Sequence, residues 1–440
     1  MERFALASEF DVPLRELFAW HGRPGALERL TPPWERVEVV ERSGGLLVGA
    51  RTVLRTRVGP FPATWEAVHT GYEEEVFFRD EIRRGPFSKW VHTHRFDALE
   101  ERRSRLEDVV EYALPLGALG RVLAGRCVRR RIERLFAYRH AVLRDDLALL
   151  GGRRIGRVAI TGSGGLVGSA LRALLATAGD EVVRVPRGDT SAATFDGADA
   201  VVHLAGENIA GRRWSAAQKE RIRESRVDGT GRLASALVAL PRPPRLLVIA
   251  SAVGFYGDRG DEVVDERSAA GKGFLAEVCR EWEAAAAPAV RAGLRVVHLR
   301  FGVILTPAGG ALRKMLLPFR MGIGGRIGSG RQALSWISID DAIGAIHHAC
   351  VTGGLSGPVN AVAPEIVTNA EYTRTLARVL RRPAVMPMPA FAARLAFGEM
   401  AQELLLTGAR VKPSRLVESG YRFRHPTLDT ALRHLLGRPA

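Results

Sequence analysis

Residues 158–168, VAITGSGGLVG, constrain the fold of this chain more than any other stretch. The apolar run 158–161 is typical of a parallel strand covered on both faces, and the amphipathic run Leu166–Ala178 predicts a helix directly after it. Between them lies a turn that only glycine-rich sequence tolerates. The stretch therefore predicts a strand, a tight turn and a helix, the first unit of a βαβ fold.

The turn has the glycine spacing of a dinucleotide-binding loop. Gly162 permits the tight turn, Gly165 lets backbone N–H groups approach a pyrophosphate, and Gly168 allows the helix to pack closely on the strand. The helix N-terminus also favours an anion. With a strand before it and a helix after it, the pattern favours dinucleotide binding over a purely structural turn. The predicted cofactor-binding residues of the loop are Gly162, Ser163, Gly164, Gly165, Leu166, Val167 and Gly168.

Length and composition indicate a multidomain globular protein. The 440 residues exceed one ordinary core, and 46% hydrophobic with 25% charged residues is a globular balance. The sequence has no apolar run of about 18 residues and no signal-peptide pattern at its start, so we expect a cytoplasmic protein with no membrane partner. Three distant cysteines argue against a disulfide framework.

The net charge of +16 and the pI near 10.7 raise the question of nucleic-acid binding. Only five of the 64 basic residues are lysines, and the arginines are spread among acidic neighbours. The densest group, Arg126 to Arg139, lies on a predicted helix with an apolar opposite face. That face comprises Leu119, Val122, Leu123, Val128, Ile132, Leu135 and Phe136. A solvated helix face explains the charge, and no nucleic-acid partner is predicted.

Residues 1–145 have the rhythm of an antiparallel α+β domain. One alternating stretch, 3–10, precedes two short helices at 13–21 and 24–30, and a long helix from Leu119 to about Leu143 closes the unit. Six further period-2 runs lie between them, at 34–41, 46–58, 64–72, 74–82, 89–96 and 104–112. Turn signals such as 43–45 and 59–60 separate these runs. This order predicts a sheet wrapped around a helix, with room for a cavity.

The element order, and the stretch GPFSKWVHTHRF (85–96) in particular, resembles the helix-grip domains of the START and polyketide-cyclase superfamily. The resemblance implies an apolar ligand held between the sheet and the last helix. His92 and His94, two residues apart, and His69 could be catalytic or could bind a metal. A third ligand cannot be placed from the sequence, so the favoured interpretation is a polar strand face with no metal.

The hydrophobic rhythm changes after residues 146–156, which we interpret as a linker. Solid apolar runs then alternate with helical patterns, which predicts a Rossmann-type doubly wound parallel sheet over 157–388. The predicted strands are 158–161, 181–185, 200–205, 246–250 and 295–299, with a later short one at 334–338. Residues 389–440 are predicted to form a small C-terminal helical substrate or cap region.

This second part resembles the extended, epimerase-like short-chain dehydrogenases/reductases. The motifs TGSGGLVG (161–168), DAVVHLAG (199–206), IASAVGFYGD (249–258) and LSWISIDDAIGA (334–345) carry the resemblance. The stretches 207–230, 274–283 and 389–436 resemble one atypical branch, the epimerase-family oxidoreductases with a C-terminal domain of unknown function. The resemblance implies that Leu204, Ala205, Gly206 and Glu207 line the cofactor.

The superfamily's proton relay, a tyrosine with a lysine four residues later, is missing. Ser268 precedes Lys272 at that spacing, and the other alignment puts Phe274 and Val278 there. The residues left near the expected nicotinamide end are Ser251, Tyr256 and Glu207. Ser251 and Tyr256 are the catalytic candidates, although a packed aromatic at a strand end explains Tyr256 equally well.

The end of the second predicted strand favours NADP over NAD. Arg184 and Arg187 can accommodate a 2′-phosphate, and the first acidic residue, Asp189, comes later. The short connection 186–196 also predicts that the usual third strand is trimmed. The leading hypothesis is an atypical NADP-dependent oxidoreductase or epimerase-like enzyme acting on a small carbonyl or alcohol. The alternative is an NADP-binding sensor or scaffold without turnover, whose N-terminal domain holds an apolar ligand.

Overall fold

The computed structural model of the chain describes residues 1–58 and 61–438. Two compact units account for them, one formed mainly by Met1–Gly152 and the other mainly by residues 153–435. The predicted turn at 59–60 lies outside the described residues. Within the two described ranges, no helix combines the length and the apolar character needed to cross a membrane.

The first unit contains one antiparallel sheet, two short helices and one long helix. Its elements are β1 (Glu2–Phe10), α1 (Leu14–Gly22), α2 (Ala26–Leu30), β2 (Glu38–Ser43), β3 (Arg51–Val58), β4 (Phe61–Glu73), β5 (Phe77–Arg84), β6 (Lys89–Glu100), β7 (Arg103–Ala113) and α3 (Gly117–Leu150). The strands pair in the order β1-β7-β6-β5-β4-β3-β2. The predicted order of one strand, two short helices, six strands and a long helix is confirmed.

Helix α3 packs in the core along its C-terminal part only. Apart from Gly120, its buried residues begin at Ile132. Leu119, Val122 and Leu123, predicted to lie on the apolar packed face, are 57%, 84% and 73% exposed. The prediction is wrong for these first turns because period alone gives the apolar stripe but not the length over which the sheet covers it.

Helix α3 also runs to Leu150, so residues 146–150 are helix rather than linker. Asp146 is fully buried, and its carboxylate accepts two hydrogen bonds from the Arg29 guanidinium at 2.7 and 2.8 Å. Gly151, in the left-handed region, ends the helix with its N–H on the carbonyl oxygen of Leu147. The buried ion pair holds the last turns of the helix in the unit.

The second unit alternates strands and helices. Its elements are β8 (Arg157–Thr161), α4 (Leu166–Ala178), β9 (Glu181–Val185), α5 (Ala192–Phe195), β10 (Ala200–His203), α6 (Ala216–Val238), β11 (Leu246–Ala252), β12 (Val263–Val264), α7 (Phe274–Ala284), α8 (Ala287–Arg291), β13 (Arg295–Phe301), β14 (Val303–Leu305), α9 (Gly310–Arg320), β15 (Ala333–Leu334), β16 (Trp336–Ser338), α10 (Ile339–Val351), β17 (Gly357–Ala361), β18 (Val367–Thr368), α11 (Asn369–Leu380), α12 (Ala390–Phe397), α13 (Glu399–Ala401), β19 (Arg410–Val411), α14 (Ser414–Glu418) and α15 (Leu428–Leu436).

Six strands form a parallel sheet in the order β17-β13-β11-β10-β8-β9. The central strands bury nearly all their side chains, as expected for a sheet with helices on both faces. The chain leaves β8 toward β9 on one side and then crosses to β10 on the other, so the strand order reverses between β8 and β10. Only the short helix α5 separates β9 from β10, which confirms the predicted loss of the third strand.

The C-terminal segment is mixed rather than purely helical, and it belongs to the second unit. Strand β19 pairs with β12, and a π-helical turn, Gln402–Leu406, precedes it. Tyr421 donates a hydrogen bond to Asp341 at the start of α10, and the carbonyl oxygen of Lys412 accepts one from Asn360 on β17. These hydrogen bonds tie the segment to the carboxyl end of the sheet.

Candidate functional site

The glycine loop joins β8 to α4 at the carboxyl edge of the parallel sheet. Gly162 has a φ of +67°, and a Cβ at this position would lie 2.8 Å from the carbonyl carbon of Leu204. A Cβ on Gly168 would collide with the carbonyl oxygen of Gly162. Only glycine fits these two positions, because backbone atoms of the segment after β10 fill the space at Gly162 and the loop's own backbone fills it at Gly168.

The same loop is open on its other side. Gly164 is exposed, and no described atom lies within 4 Å of the place its Cβ would take. The N–H of Gly165 is used within the loop, on the carbonyl oxygen of Gly162 at 2.9 Å. Helix α4 begins at Leu166 and has no acidic residue in its first turn, so its first N–H groups and its positive end are available to an anion.

The segment after β10 is held against the end of β8. Thr161 Oγ1 lies 2.7 Å from His203 Nδ1 and accepts a hydrogen bond from the N–H of Ala205 at 3.3 Å. Burial lowers the pKa of His203 to about 4, so its imidazole is neutral at pH 7. The contacts bring Leu204, Ala205 and Gly206 to the glycine loop at the point of strand reversal, where open α/β sheets bind their ligands.

Glu207 is tethered to helix α6 rather than free. Its N–H donates to Ser225 Oγ at 3.0 Å, and its carboxylate accepts a hydrogen bond from Gln218 at 3.4 Å. The Arg226 guanidinium lies 3.5 Å from the position of a Cβ on Gly206. Sequence reasoning did not single out Arg226, although it lies in the family-like stretch 207–230. It adds a half-buried cation beside the turn after β10.

Arg184 and Arg187 lie at the outer edge of the sheet. Arg184 is on β9, the edge strand, and Arg187 follows two residues after the strand ends. Both side chains are exposed, and neither forms an ion pair with a described residue. With no third strand beyond β9, these guanidinium groups are free to meet a ligand that extends along the edge from the glycine loop.

The two catalytic candidates belong to one buried polar network. Ser251 Oγ donates to the Glu283 carboxylate at 2.8 Å, and Arg300 binds the same carboxylate through two hydrogen bonds of 2.7 Å. Arg300 also donates to Tyr256 Oη at 2.9 Å, and the Tyr256 hydroxyl donates to Asn360 Oδ1 at 2.7 Å. This chain of hydrogen bonds joins α7 to the ends of β11, β13 and β17. It runs in the order Ser251, Glu283, Arg300, Tyr256, Asn360.

Tyr256 has no exposed surface, and both functions of its hydroxyl are engaged in this network. Burial raises the pKa of Tyr256, although Arg300 and Asn360 act in the opposite direction. A tyrosine that exchanges a proton near neutral pH needs a lowered pKa and access to substrate. The geometry thus describes a tyrosine that holds Arg300 and Asn360 in place. Sequence reasoning missed Glu283, Arg300 and Asn360, which are far apart in the chain.

Two of the three candidate histidines in the first unit, His92 and His94, lie on a strand face that is polar, as predicted, and that is also buried. His92 and His94 on β6 are 3% and 7% exposed. Asp80 on β5 and Asp108 on β7 supply the polar contacts that make burial tolerable. His69 is only partly buried and lies 2.9 Å, through Nδ1, from the carbonyl oxygen of Leu46.

Comparison with known proteins identifies a family and relatives that are similar to this chain in sequence. Residues 158–361 match the NAD dependent epimerase/dehydratase family. An epimerase family protein of Mycobacterium bovis is 46% identical over 297 residues, which is 64% of this chain and 98% of that protein. The chain belongs to the epimerase family.

Two further matches flank the epimerase region of this family member. Residues 10–136 match the polyketide cyclase / dehydrase and lipid transport family, and residues 388–435 match a domain of unknown function. The first match agrees with the predicted superfamily of the N-terminal part. The second covers the segment from α12 to α15.

Two solved structures are similar to this epimerase family member. A nucleoside-diphosphate sugar epimerase from Corynebacterium glutamicum is 34% identical with a TM-score of 0.80, and the match covers 99% of this chain and 90% of that one. The human epimerase family protein SDR39U1, solved with NADPH, is 36% identical with a TM-score of 0.59, over 63% of this chain and 98% of that one. The Corynebacterium match extends over both units.

Helix α7 shows how this family member departs from the usual proton relay. It carries Phe274 and Val278 at the positions where one alignment places the tyrosine and lysine. Val278 is buried, and Lys272 lies outside the helix and is exposed. The described residues near α7 therefore contain no tyrosine–lysine pair at the usual spacing.

Proposed function

We propose that the second unit is an NADP-dependent oxidoreductase of the epimerase-like type, acting on a small carbonyl or alcohol. The observation that carries the proposal is the open glycine loop at the point of strand reversal, with unsatisfied N–H groups and no carboxylate in the first turn of α4. The NADPH in the human relative supports the same cofactor here. When bound, the nicotinamide would supply or accept a hydride.

The chain's own residues would contact the cofactor at three places. We propose that backbone groups of Ser163, Gly164, Leu166 and Val167 bind the pyrophosphate, with Gly162, Gly165 and Gly168 giving the loop its shape. Leu204, Ala205, Gly206 and Glu207 would line the path toward the nicotinamide. Arg184 and Arg187 would bind the 2′-phosphate, because they are exposed and unpaired at the end of β9.

Binding of the two cofactors tests this assignment directly. We expect calorimetry to show tighter binding of NADPH than of NADH. Arg184→Glu should weaken NADPH binding about tenfold to a hundredfold, the value of a lost charged hydrogen bond, and leave NADH binding nearly unchanged. Arg291→Glu, an exposed arginine of the same unit, is the matched control.

Gly165→Asp tests the loop itself, because it places a carboxylate where the pyrophosphate would lie. We expect it to abolish binding of both cofactors while circular dichroism shows an unchanged fold. Wild-type protein that binds neither cofactor, or a Gly165→Asp variant that binds as well as wild type, would refute the proposal.

The catalytic roles of Ser251 and Tyr256 remain predictions. Both could act only if substrate reached the Glu283–Arg300 pair, since their hydroxyl groups are bonded to it. Oxidation of NADPH across a panel of carbonyl compounds, nucleotide sugars included, would identify a substrate. Binding without any turnover would favour the sensor or scaffold hypothesis.

For the first unit we propose a helix-grip arrangement, in which α3 packs on the sheet of β1–β7. Aromatic side chains fill much of its interior, among them Phe18, Trp20, Phe78, Phe96 and Phe136. The predicted apolar ligand would have to displace or complement these rings. Native mass spectrometry of the purified full chain would show whether a lipid or polyketide is retained.

A further inference from the structure

The first unit contains a buried group of metal-ligand side chains that the proposed oxidoreductase chemistry does not use. Asp80, His92 and His94 each place one ligand atom within 4.8 Å of the others. The sequence alone predicts no metal here, because it shows two histidines and no third ligand. The carboxylate of Asp80, from the neighbouring strand, is that third ligand.

Strand register brings these side chains to one face of the sheet. Asp80 on β5 is directly opposite His92 on β6, and Asp108 on β7 is directly opposite His94. Residues 92 and 94 are two apart on one strand and so point to the same face. Three neighbouring strands therefore place two imidazoles and two carboxylates together without any contribution from a loop.

His92 is oriented like a metal ligand backed by a carboxylate. Its Nε2 lies 3.1 Å from Asp108 Oδ1, and its Nδ1 faces Asp80 Oδ1 at 3.3 Å. Two atoms that each bind a tetrahedral Zn²⁺ at about 2.0–2.1 Å lie about 3.3 Å apart. Metal-bound histidines almost always donate their second N–H to a carboxylate, carbonyl or water, and Asp108 is in that position.

Asp108 is itself held in place from behind. His140 on α3 lies 2.8 Å, through Nε2, from Asp108 Oδ2, and its Nδ1 lies 2.8 Å from Ser8 Oγ on β1. Asp108 and His140 are 2% exposed. The polar chain from Ser8 through His140 to Asp108 orients His92 from three separate elements.

His94 has unused ligand capacity. Its Nδ1 is in ion-pair contact with Asp108 Oδ1 at 2.6 Å, but it is not hydrogen-bonded to any described residue. The ring is fixed instead by packing, 4.0 Å from the ring of Phe78 and 4.0 Å from that of His92. A buried polar atom without a partner is costly, and a bound cation would remove that cost.

We propose that Asp80, His92 and His94 bind a divalent transition-metal ion such as Zn²⁺ inside the first unit. Asp108 and His140 are positioning residues that orient the imidazoles. Two nitrogens and one carboxylate oxygen suit zinc and other first-row divalent ions, whereas magnesium and calcium prefer oxygen ligands alone. Three protein ligands leave a fourth position for water or another small donor.

Metal content of the full chain is the test. Protein treated with a chelator, reloaded with Zn²⁺ and dialysed should retain about one zinc ion per chain by elemental analysis. Asp80→Asn and His94→Gln should lose that ion. Asp108→Asn should weaken zinc binding about tenfold to a hundredfold, since it removes only the orienting carboxylate. Loading with Co²⁺ gives a visible spectrum that reports the ligands without any enzyme assay.

A second group of similar composition, Asp340, His425 and His434 in the other unit, supplies the matched control. The His425→Gln variant should keep the zinc ion that the Asp80→Asn variant loses. Circular dichroism of each variant separates loss of metal from loss of fold, and the wild-type measurement stands even if a variant fails to fold. Wild-type protein that retains no zinc, or Asp80→Asn and His94→Gln variants that retain all of it, would overturn the proposal.

Discussion

Both units bury a charged polar group, but the two groups are built from different residues. The first unit joins histidines to aspartates, with His92 between Asp80 and Asp108. The second joins Glu283 to Arg300, with Ser251, Tyr256 and Asn360 bonded around them. An imidazole can lose a proton and bind a metal, whereas a guanidinium stays protonated and has no acceptor. The histidine–aspartate group can therefore change its protonation or bind a metal, whereas the glutamate–arginine group keeps its charges and has a structural role.

The two groups also differ in where they lie in their sheets. The histidine–aspartate group lies on one face of the antiparallel sheet, on three neighbouring strands, and His140 of α3 contacts it. The glutamate–arginine group lies at the carboxyl edge of the parallel sheet, the edge that also carries the glycine loop. A fixed network at the edge of an open crevice can support a ligand site without taking part in its chemistry.

The largest effect should come from breaking the permanent charge pair. We expect Arg300→Met to lower the free energy of unfolding by about 3–5 kcal/mol, because it leaves the Glu283 carboxylate buried without its cation. Urea unfolding followed by circular dichroism measures this. Arg242→Met, which removes an exposed pair with Asp196, should cost less than about 1 kcal/mol. Equal costs for the two variants would show that the buried network has no special role.

His203 tests the same comparison in the second unit, because its imidazole is buried and has no carboxylate partner among the described residues. Its pKa falls from 6.5 to about 4 on burial. The unfolded chain takes up a proton near pH 6.5 and the folded chain only near pH 4, so stability is full above pH 6.5 and declines as the pH falls to 4. The decline amounts to about 3 kcal/mol.

The measurement for His203 is the difference in unfolding free energy between wild type and His203→Gln at pH 7 and at pH 4.5. We expect the stability advantage of wild type to shrink at the lower pH, because the glutamine variant does not take up this proton. A difference that is the same at both pH values would contradict the assignment of the lowered pKa to this residue.

Gly162→Ala should have the next largest effect on stability, and it should disturb only the glycine loop at the carboxyl edge of the parallel sheet. It combines a left-handed backbone with a Cβ 2.8 Å from the Leu204 carbonyl carbon, so we expect a loss of about 1–3 kcal/mol. Gly164→Ala meets no described atom within 4 Å and should change stability by less than about 0.5 kcal/mol. Thermal unfolding of both variants checks this, and an equal shift would mean that loop shape is not set by Gly162.

Tyr256→Phe should give the smallest effect of the series. It removes the hydroxyl that accepts from Arg300 and donates to Asn360, at a cost of about 1–2 kcal/mol. Because we regard this tyrosine as a support, we expect NADPH affinity to stay unchanged. Once a substrate is known, a fall in kcat of about a hundredfold or more with unchanged stability would instead assign Tyr256 to catalysis.

The sequence was sufficient for features that depend on local pattern. Alternation predicted the strands of the first unit, solid apolar runs predicted five of the six strands of the parallel sheet, and the short connection 186–196 predicted the missing third strand. Strand β17 was not predicted. Features that depend on register or on distant partners could not be predicted. Glu283 and Arg300 are on different elements, and Asp80 becomes a partner of His92 only through the pairing of β5 with β6. The helical period of apolar residues likewise could not show which turns of α3 are covered by the sheet.

The lost third strand changes which strand must resist aggregation. Strand β9 is now the open border of the parallel sheet, with unpaired backbone groups that another chain could join. It is only five residues long, and its exposed Glu181 and Arg184 side chains discourage such pairing. Arg184 therefore serves solubility as well as our proposed cofactor site. Replacing Arg184 with an apolar, β-branched residue to alter cofactor choice would also leave an edge strand that is prone to aggregation.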